Sequence, residues 1–158
     1  MAARRHARKV AFRYAKPGIA ALALLWTVAL ALPIGAATTE QIVTDRNSGL
    51  AIHGFDPVGY FTDGAPTVGR GEFEYRHAGV VWRCRNAGNM AAFAADPDVY
   101  MPRYGGYDPI GIGRGVPVAG DPRNWIILEQ HLYLFQSPEN KAIFAVGSER
   151  AVEAADEH

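Results

Sequence analysis

The stretch Phe93–Asp108, FAADPDVYMPRYGGYD, constrains this chain most, because it places a helix end, a helical turn and a glycine-hinged aromatic loop within a few residues. Asp96-Pro97 reads as an N-cap followed by proline at the first helical position, where a missing N–H costs nothing. The turn that starts there should stop near Met101, since Pro102 pushes its predecessor out of the helical region. Gly105-Gly106 then gives the backbone access to φ values that a side chain would forbid. Tyr100, Tyr104 and Tyr107 flank the pair, each with an apolar ring and a polar tip. A tyrosine-walled corner follows, with two readings: a buried corner whose hydroxyls are tied to backbone, or a ligand pocket.

The formal charge of zero conceals an asymmetry. All acidic residues lie at or beyond Glu40, while Arg4, Arg5, Arg8, Lys9, Arg13 and Lys16 precede the first apolar run. Setting those six aside leaves ten basic against sixteen acidic residues, a remainder of about −6. Such a domain is unsuited to electrostatic binding of nucleic acid. The run Ile19–Leu32, IAALALLWTVALAL, has the length of a secretory h-region behind a basic n-region, and Gly35-Ala36-Ala37 supplies small residues for cleavage. Residues 1–37 therefore read as a signal peptide, giving an exported protein, periplasmic or secreted. The rival reading is an uncleaved anchor in the inner membrane through residues 18–37, the only membrane contact expected. Cys84 is the sole cysteine. An internal disulfide is thereby excluded, and burial beside Trp82 on one face of a strand is the expectation.

From there the chain reads as a linker over residues 38–49, a domain over residues 50–147 and an acidic, helix-permissive segment over residues 148–158. Glu72–Tyr75 and Val80–Cys84 are expected as strands of a hairpin turning at His77-Ala78-Gly79, with Phe73, Tyr75, Val80 and Trp82 inward. Asn86 is placed to cap a helix presenting Met90, Phe93 and Ala94 on one face. Ile110–Gly120 reads as a glycine-rich loop; with no strand before it and no helix after it, Gly111, Gly113 and Gly115 do not form a phosphate cradle. Trp125–Leu128 and Leu132–Phe135 form a second expected hairpin. Ser137-Pro138 opens a helix with Ala142, Ile143 and Val146 on its apolar side, ended by Gly147. No internal repeat is evident. The fold class is α+β: a small single domain of short antiparallel strands packed with two or three short helices, behind a signal peptide or N-terminal membrane helix.

The order of pieces, Gly54-Phe55-Asp56-Pro57-Val58-Gly59-Tyr60-Phe61, then Gly79-Val80-Val81-Trp82, then Asp96-Pro97, Tyr100-Met101-Pro102 and Tyr104-Gly105-Gly106-Tyr107, resembles the YHS-domain family. Asp121-Pro122, Trp125 and Leu132-Tyr133-Leu134 extend the likeness to exported bacterial members, over roughly Leu50 to Phe144. The resemblance implies a small α+β domain and, by association with heavy-metal transport proteins, a role in binding metal ions. Metal-associated modules of that family carry cysteines at the places held here by Arg85 and Asn89, and exported relatives have a cysteine where this chain has Asp108. A soft thiolate site is therefore not supported.

Imidazole and carboxylate remain as metal donors. His53, Asp56 and Asp108 are the candidate ligands, with His77 and His131 further histidines, and such donors suit zinc or divalent copper. The candidate ligand pocket comprises Tyr60, Tyr100, Tyr104, Gly105, Gly106, Tyr107 and Asp108. No nucleophile elbow or histidine-rich signature indicates catalysis, and Asp56 and Asp108 precede proline in turns. The reading these observations favour is an exported, non-enzymatic binding module for a metal ion or small ligand in the cell envelope. A structural or protein-interaction domain without metal is the alternative, and an unrecognised enzyme the third.

Overall fold

A computed structural model of the chain describes residues 41–158, so the expected export segment and its cleavage point lie outside the described residues. Two antiparallel hairpins carry the architecture. Strands β1 (Glu74–His77) and β2 (Val80–Arg83) pair with His77 opposite Val80, and β3 (Asp121–Leu128) and β4 (His131–Phe135) pair with Leu128 opposite His131. Each hairpin turns on two residues of positive φ, Ala78 (50°) and Gly79 (81°) in the first, Glu129 (49°) and Gln130 (64°) in the second. That geometry matches the twist of the flanking strands. Among the described residues each sheet has two strands, so each depends on what packs against it.

Helices supply that packing. They are α1 (Gly59–Thr62), α2 (Ala87–Ala95), α3 (Pro97–Tyr100), α4 (Pro109–Ile112) and α5 (Pro138–Asp156). Asn86 caps α2 by accepting the Asn89 N–H at 2.8 Å, and Ser137 caps α5 by accepting that of Asn140 at 3.2 Å. Asp96 occupies the cap position of α3 without its side chain accepting an N–H. The expected α+β class holds, and Pro109–Ile112 forms a helical turn that runs into the stretch Ile110–Gly120 read as loop.

The expectation of no internal repeat is corrected. Gly54-Phe55-Asp56-Pro57-Val58-Gly59 and Gly106-Tyr107-Asp108-Pro109-Ile110-Gly111 open two copies of one module, each running through a short helix, a hairpin and a capped helix. Backbone contacts repeat in the same register. The Asp56 N–H meets the Thr67 carbonyl at 2.8 Å and that of Asp108 meets Val118 at 2.9 Å, while Gly69 donates to Gly54 and Gly120 to Gly106, both at 2.9 Å. Bridges Leu50–Val81 and Pro102–Leu132, both parallel, lie at the same place in each copy. Even the break between α2 and α3 recurs: Asp96 sits at φ −149°, ψ 75°, and Gly147 kinks α5 at φ −141°, ψ 46°. The predicted end of the last helix at Gly147 is thus a kink, after which helix continues to Asp156.

The larger core cluster mixes the copies. Ile52, Val58, Tyr60, Trp82, Cys84 and Phe93 of the first pack with Leu132 and Leu134 of the second. A smaller cluster gathers Ile110, Tyr133, Phe135 and Phe144. Burial pushes the Cys84 thiol up to about 12, as suits a small core hydrophobe beside Trp82. Two expectations change here. In α5 the buried residues are Phe144 and Ala155, whereas Val146 is 93% exposed and Ile143 48%, so the apolar face lies on the other side from the one predicted. Nor are residues 41–49 a free linker: Ile42 and Val43 are buried, and the Val43 N–H donates to the Gly105 carbonyl at 2.8 Å.

That last contact fixes a glycine. Gly105 has φ +63°, and a Cβ built there would strike the carbonyl oxygen of Gln41, whereas Gly64 has the same φ with nothing near its Cβ position. Gly64→Ala should cost about 1 kcal/mol, the backbone penalty alone. Gly105→Ala should cost about 3 kcal/mol or more, because strain and collision add. Urea unfolding of the two variants measures the difference; equal losses would show that the Gln41 segment is not seated on the loop.

Candidate functional site

One buried carboxylate organises each copy. Asp56 is fully buried; its Oδ1 accepts the Val58 N–H at 2.9 Å, and its Oδ2 accepts the Arg85 N–H at 2.8 Å and the Asn89 side-chain amide at 2.7 Å. Asp108, equally buried, repeats the pattern with Ile110, Gln136 and the Asn140 amide at 2.9, 2.8 and 2.7 Å. Proline follows each aspartate and brings no N–H, so the carboxylate reaches the next one along. Its other oxygen joins a residue one or two past the strand, Arg85 or Gln136, to the third residue of the following helix. A buried carboxylate without such donors would be costly. Among the described residues, no buried side-chain nitrogen or oxygen lacks a partner.

This arrangement gives the candidate metal ligands other partners. The oxygens of Asp56 and Asp108 are occupied by N–H donors, and His53 has its Nδ1 3.4 Å from Asp45 Oδ2. No group of three or more His, Cys, Asp or Glu side chains that could hold a metal is assembled among the described residues. Arg85 and Asn89, the positions where the resemblance expects cysteines, close on Asp56 instead. Sequence reasoning overlooked Asn89 and Asn140. Their signal was available, since each stands three residues after a helix cap and four residues before a buried phenylalanine, Phe93 or Phe144.

The tyrosines divide into two groups. Tyr60 is buried, donating its hydroxyl to the Pro122 carbonyl at 2.9 Å with its ring edge-on to Trp125 at 5.4 Å. Tyr100 packs edge-on against Phe61 at 5.5 Å. Both serve the core, as the buried-corner reading expects. Tyr104 and Tyr107 instead line a cavity of about 460 Å³ with Gln41, Ile112, Pro117 and Ala155. Tyr104 holds its place at φ 56° and donates its hydroxyl to Asp156 Oδ1 at 2.8 Å, where Arg103 Nη2 also approaches at 3.1 Å. Gly105 and Gly106 lend their carbonyls to Val43 and Gly120. A separate cavity of about 500 Å³ is bordered by His53, Phe55, Gly120, Asp121, Arg123 and Gln136, with the Arg123 guanidinium 5.2 Å over the Phe55 ring.

Electrostatics around Tyr104 point one way. Burial, and next the hydrogen bond with Asp156, raise the Tyr104 phenol above its usual value. The same bond, helped by Arg103, holds the Asp156 carboxyl below its ordinary 3.8. Comparison of the chain with protein-family models, curated proteins and solved structures gives no match.

A folded-state value below the unfolded one means that the Asp156 contact contributes fully above pH 3.8 and is lost as pH falls through the lower folded value. The Tyr104 ring resonances should therefore titrate with a midpoint below pH 3.8. NMR of the folded protein checks this, and a transition centred above pH 3.8 would contradict the Tyr104–Asp156 bond.

Proposed function

We propose that this chain is an exported, non-enzymatic binding protein of YHS-like type that takes up a small, largely apolar ligand in the cell envelope. The observation that carries the reading is the cavity walled by Tyr104 and Tyr107. Its volume of about 460 Å³ falls within the range of small-molecule sites, roughly 300–1,000 Å³. Its lining combines aromatic and aliphatic surface with a few polar groups, as such sites do, and the Tyr104 ring is held by Asp156 before any ligand arrives. Preorganisation of that kind lowers the ordering cost of binding. The export signal read in residues 1–37 is the basis for the envelope location, and the YHS resemblance for a binding rather than a catalytic role.

Indole, a planar two-ring probe, tests the cavity. In protein-observed NMR it should produce saturable shifts at Tyr104, Tyr107 and Ile112. Ala155→Trp, which fills the cavity from its wall, should abolish them. Shifts absent from those residues, or unaffected by the replacement, would remove the support for this site. Calorimetry with zinc or copper(II) covers the metal alternative: His53→Ala should leave any uptake unchanged, and a saturable site lost in that variant would favour a metal-binding role instead.

A further inference from the structure

The two copies of the module differ at a packed aromatic pair, and that difference leaves a hole. In the first copy, Phe61 on the residue after Tyr60 meets Tyr100 of α3 edge-on, centroids 5.5 Å apart at 89°. Phe61 stands as far after Asp56 as Gly113 stands after Asp108, and Tyr100 as far after Asn89 as Ala151 after Asn140. In the second copy the aromatic pair is thus replaced by Gly113 and Ala151. The C-terminal part of α5 reclaims some of the space, for a Cβ on Gly113 would come 3.0 Å from the Ala154 Cβ. What remains is a cavity of about 270 Å³ lined by Ile110, Gly113, Ile143 and Ala151, with Arg114 and Arg150 at its edge.

Those arginines belong to the same divergence. Where the second copy has Arg114 and Arg150, the first has Thr62 and Val99 beside its aromatic plug. Both arginines are exposed, and neither is ion-paired among the described residues. Loss of the plug and gain of two cations thus coincide at one site. The apolar lining is the size and kind that a ring occupies in the sister copy, and 270 Å³ lies just below the range for drug-sized ligands, which suits a single ring. Guanidinium groups match carboxylate geometry with paired N–H donors.

We propose that this cavity binds a small aromatic monocarboxylate, its ring where the first copy keeps its own aromatic pair and its carboxylate on Arg114 and Arg150. The site is separate from the tyrosine-walled one, with which it shares no lining residue. Opposite charge at the rim selects the acid over its neutral amide, and the apolar floor selects an aryl group over a bare anion.

Benzoate is the probe, titrated into the full chain and followed by amide NMR and calorimetry. Saturable shifts are expected at Gly113, Arg114, Arg150 and Ala151, with benzamide weaker by about tenfold or more. Ala151→Tyr restores the sister copy's aromatic residue and should abolish binding. Arg114→Gln with Arg150→Gln, both on the surface and harmless to folding, should weaken benzoate about tenfold or more while leaving indole shifts at Tyr104 and Tyr107 unchanged. The proposal is overturned by absence of a saturable benzoate site, by equal affinity for benzamide, or by unchanged affinity in the double arginine variant.

Discussion

The buried carboxylate that collects three N–H donors is the interaction on which the rest depends. Asp56 and Asp108 are each fully buried, and burying a charge is tolerated only when donors replace the water it loses. Each therefore dictates where three other pieces sit: the short helix following its own proline, the residue leaving the second hairpin strand, and the first turn of the helix beyond. A two-stranded hairpin and a one-turn helix are marginal alone. Tied through one carboxylate, they become a unit. The unit occurs twice, and Leu132 and Leu134 of the second join the core of the first, so the copies fold around shared apolar surface.

Much of the local structure was legible because it is set by neighbouring residues. Asn86 and Ser137-Pro138 announced their helices, and the strands on either side of Ala78-Gly79 and Glu129-Gln130 could be read from apolar alternation. Trp82-Arg83-Cys84 placed the thiol in the core, where it lies. The aspartates were legible as turn residues but not as latches, because their partners Arg85, Asn89, Gln136 and Asn140 are remote in sequence, and the shared place of the two asparagines after a helix cap shows only when the copies are aligned. Without those partners, an aspartate near a histidine looks like a metal ligand. The repeat escaped for a related reason: the copies share the Gly-aromatic-Asp-Pro-aliphatic-Gly turn, an asparagine and a phenylalanine, whereas Trp82 faces Tyr133 and Cys84 faces Phe135 in the correspondence.

The tyrosine loop shows why a motif can be seen before its purpose. Its glycines are dictated by backbone: Gly105 must leave room for the Gln41 carbonyl, and Gly106 takes φ +91° over Ile52 and Leu134. Its tyrosines are not equivalent, since Tyr60 and Tyr100 complete a core while Tyr104 and Tyr107 border open space. Sequence spacing could bring the rings into one neighbourhood but could not say which of them face solvent. That depended on the C-terminal turn of α5, whose Asp156 fixes Tyr104 and whose path is set by the kink at Gly147. Helical periodicity alone chose Ile143 and Val146 as the inward face; the packing of Phe144 on Phe135 and Tyr133, at 5.0 and 4.8 Å, decided otherwise.

The claim that one carboxylate latch, used twice, holds the fold is tested most directly by double-mutant cycles in urea unfolding. The cycles are Asp56→Ala with Asn89→Ala, and Asp108→Ala with Asn140→Ala. Each pair should show a coupling energy of about 1–3 kcal/mol, similar in the two copies, because each asparagine amide donates to its buried carboxylate. Each aspartate replacement alone should cost more than its asparagine partner's, since it leaves two backbone N–H groups without an acceptor. Coupling near zero in either cycle, or aspartate variants as stable as the parent, would contradict the account.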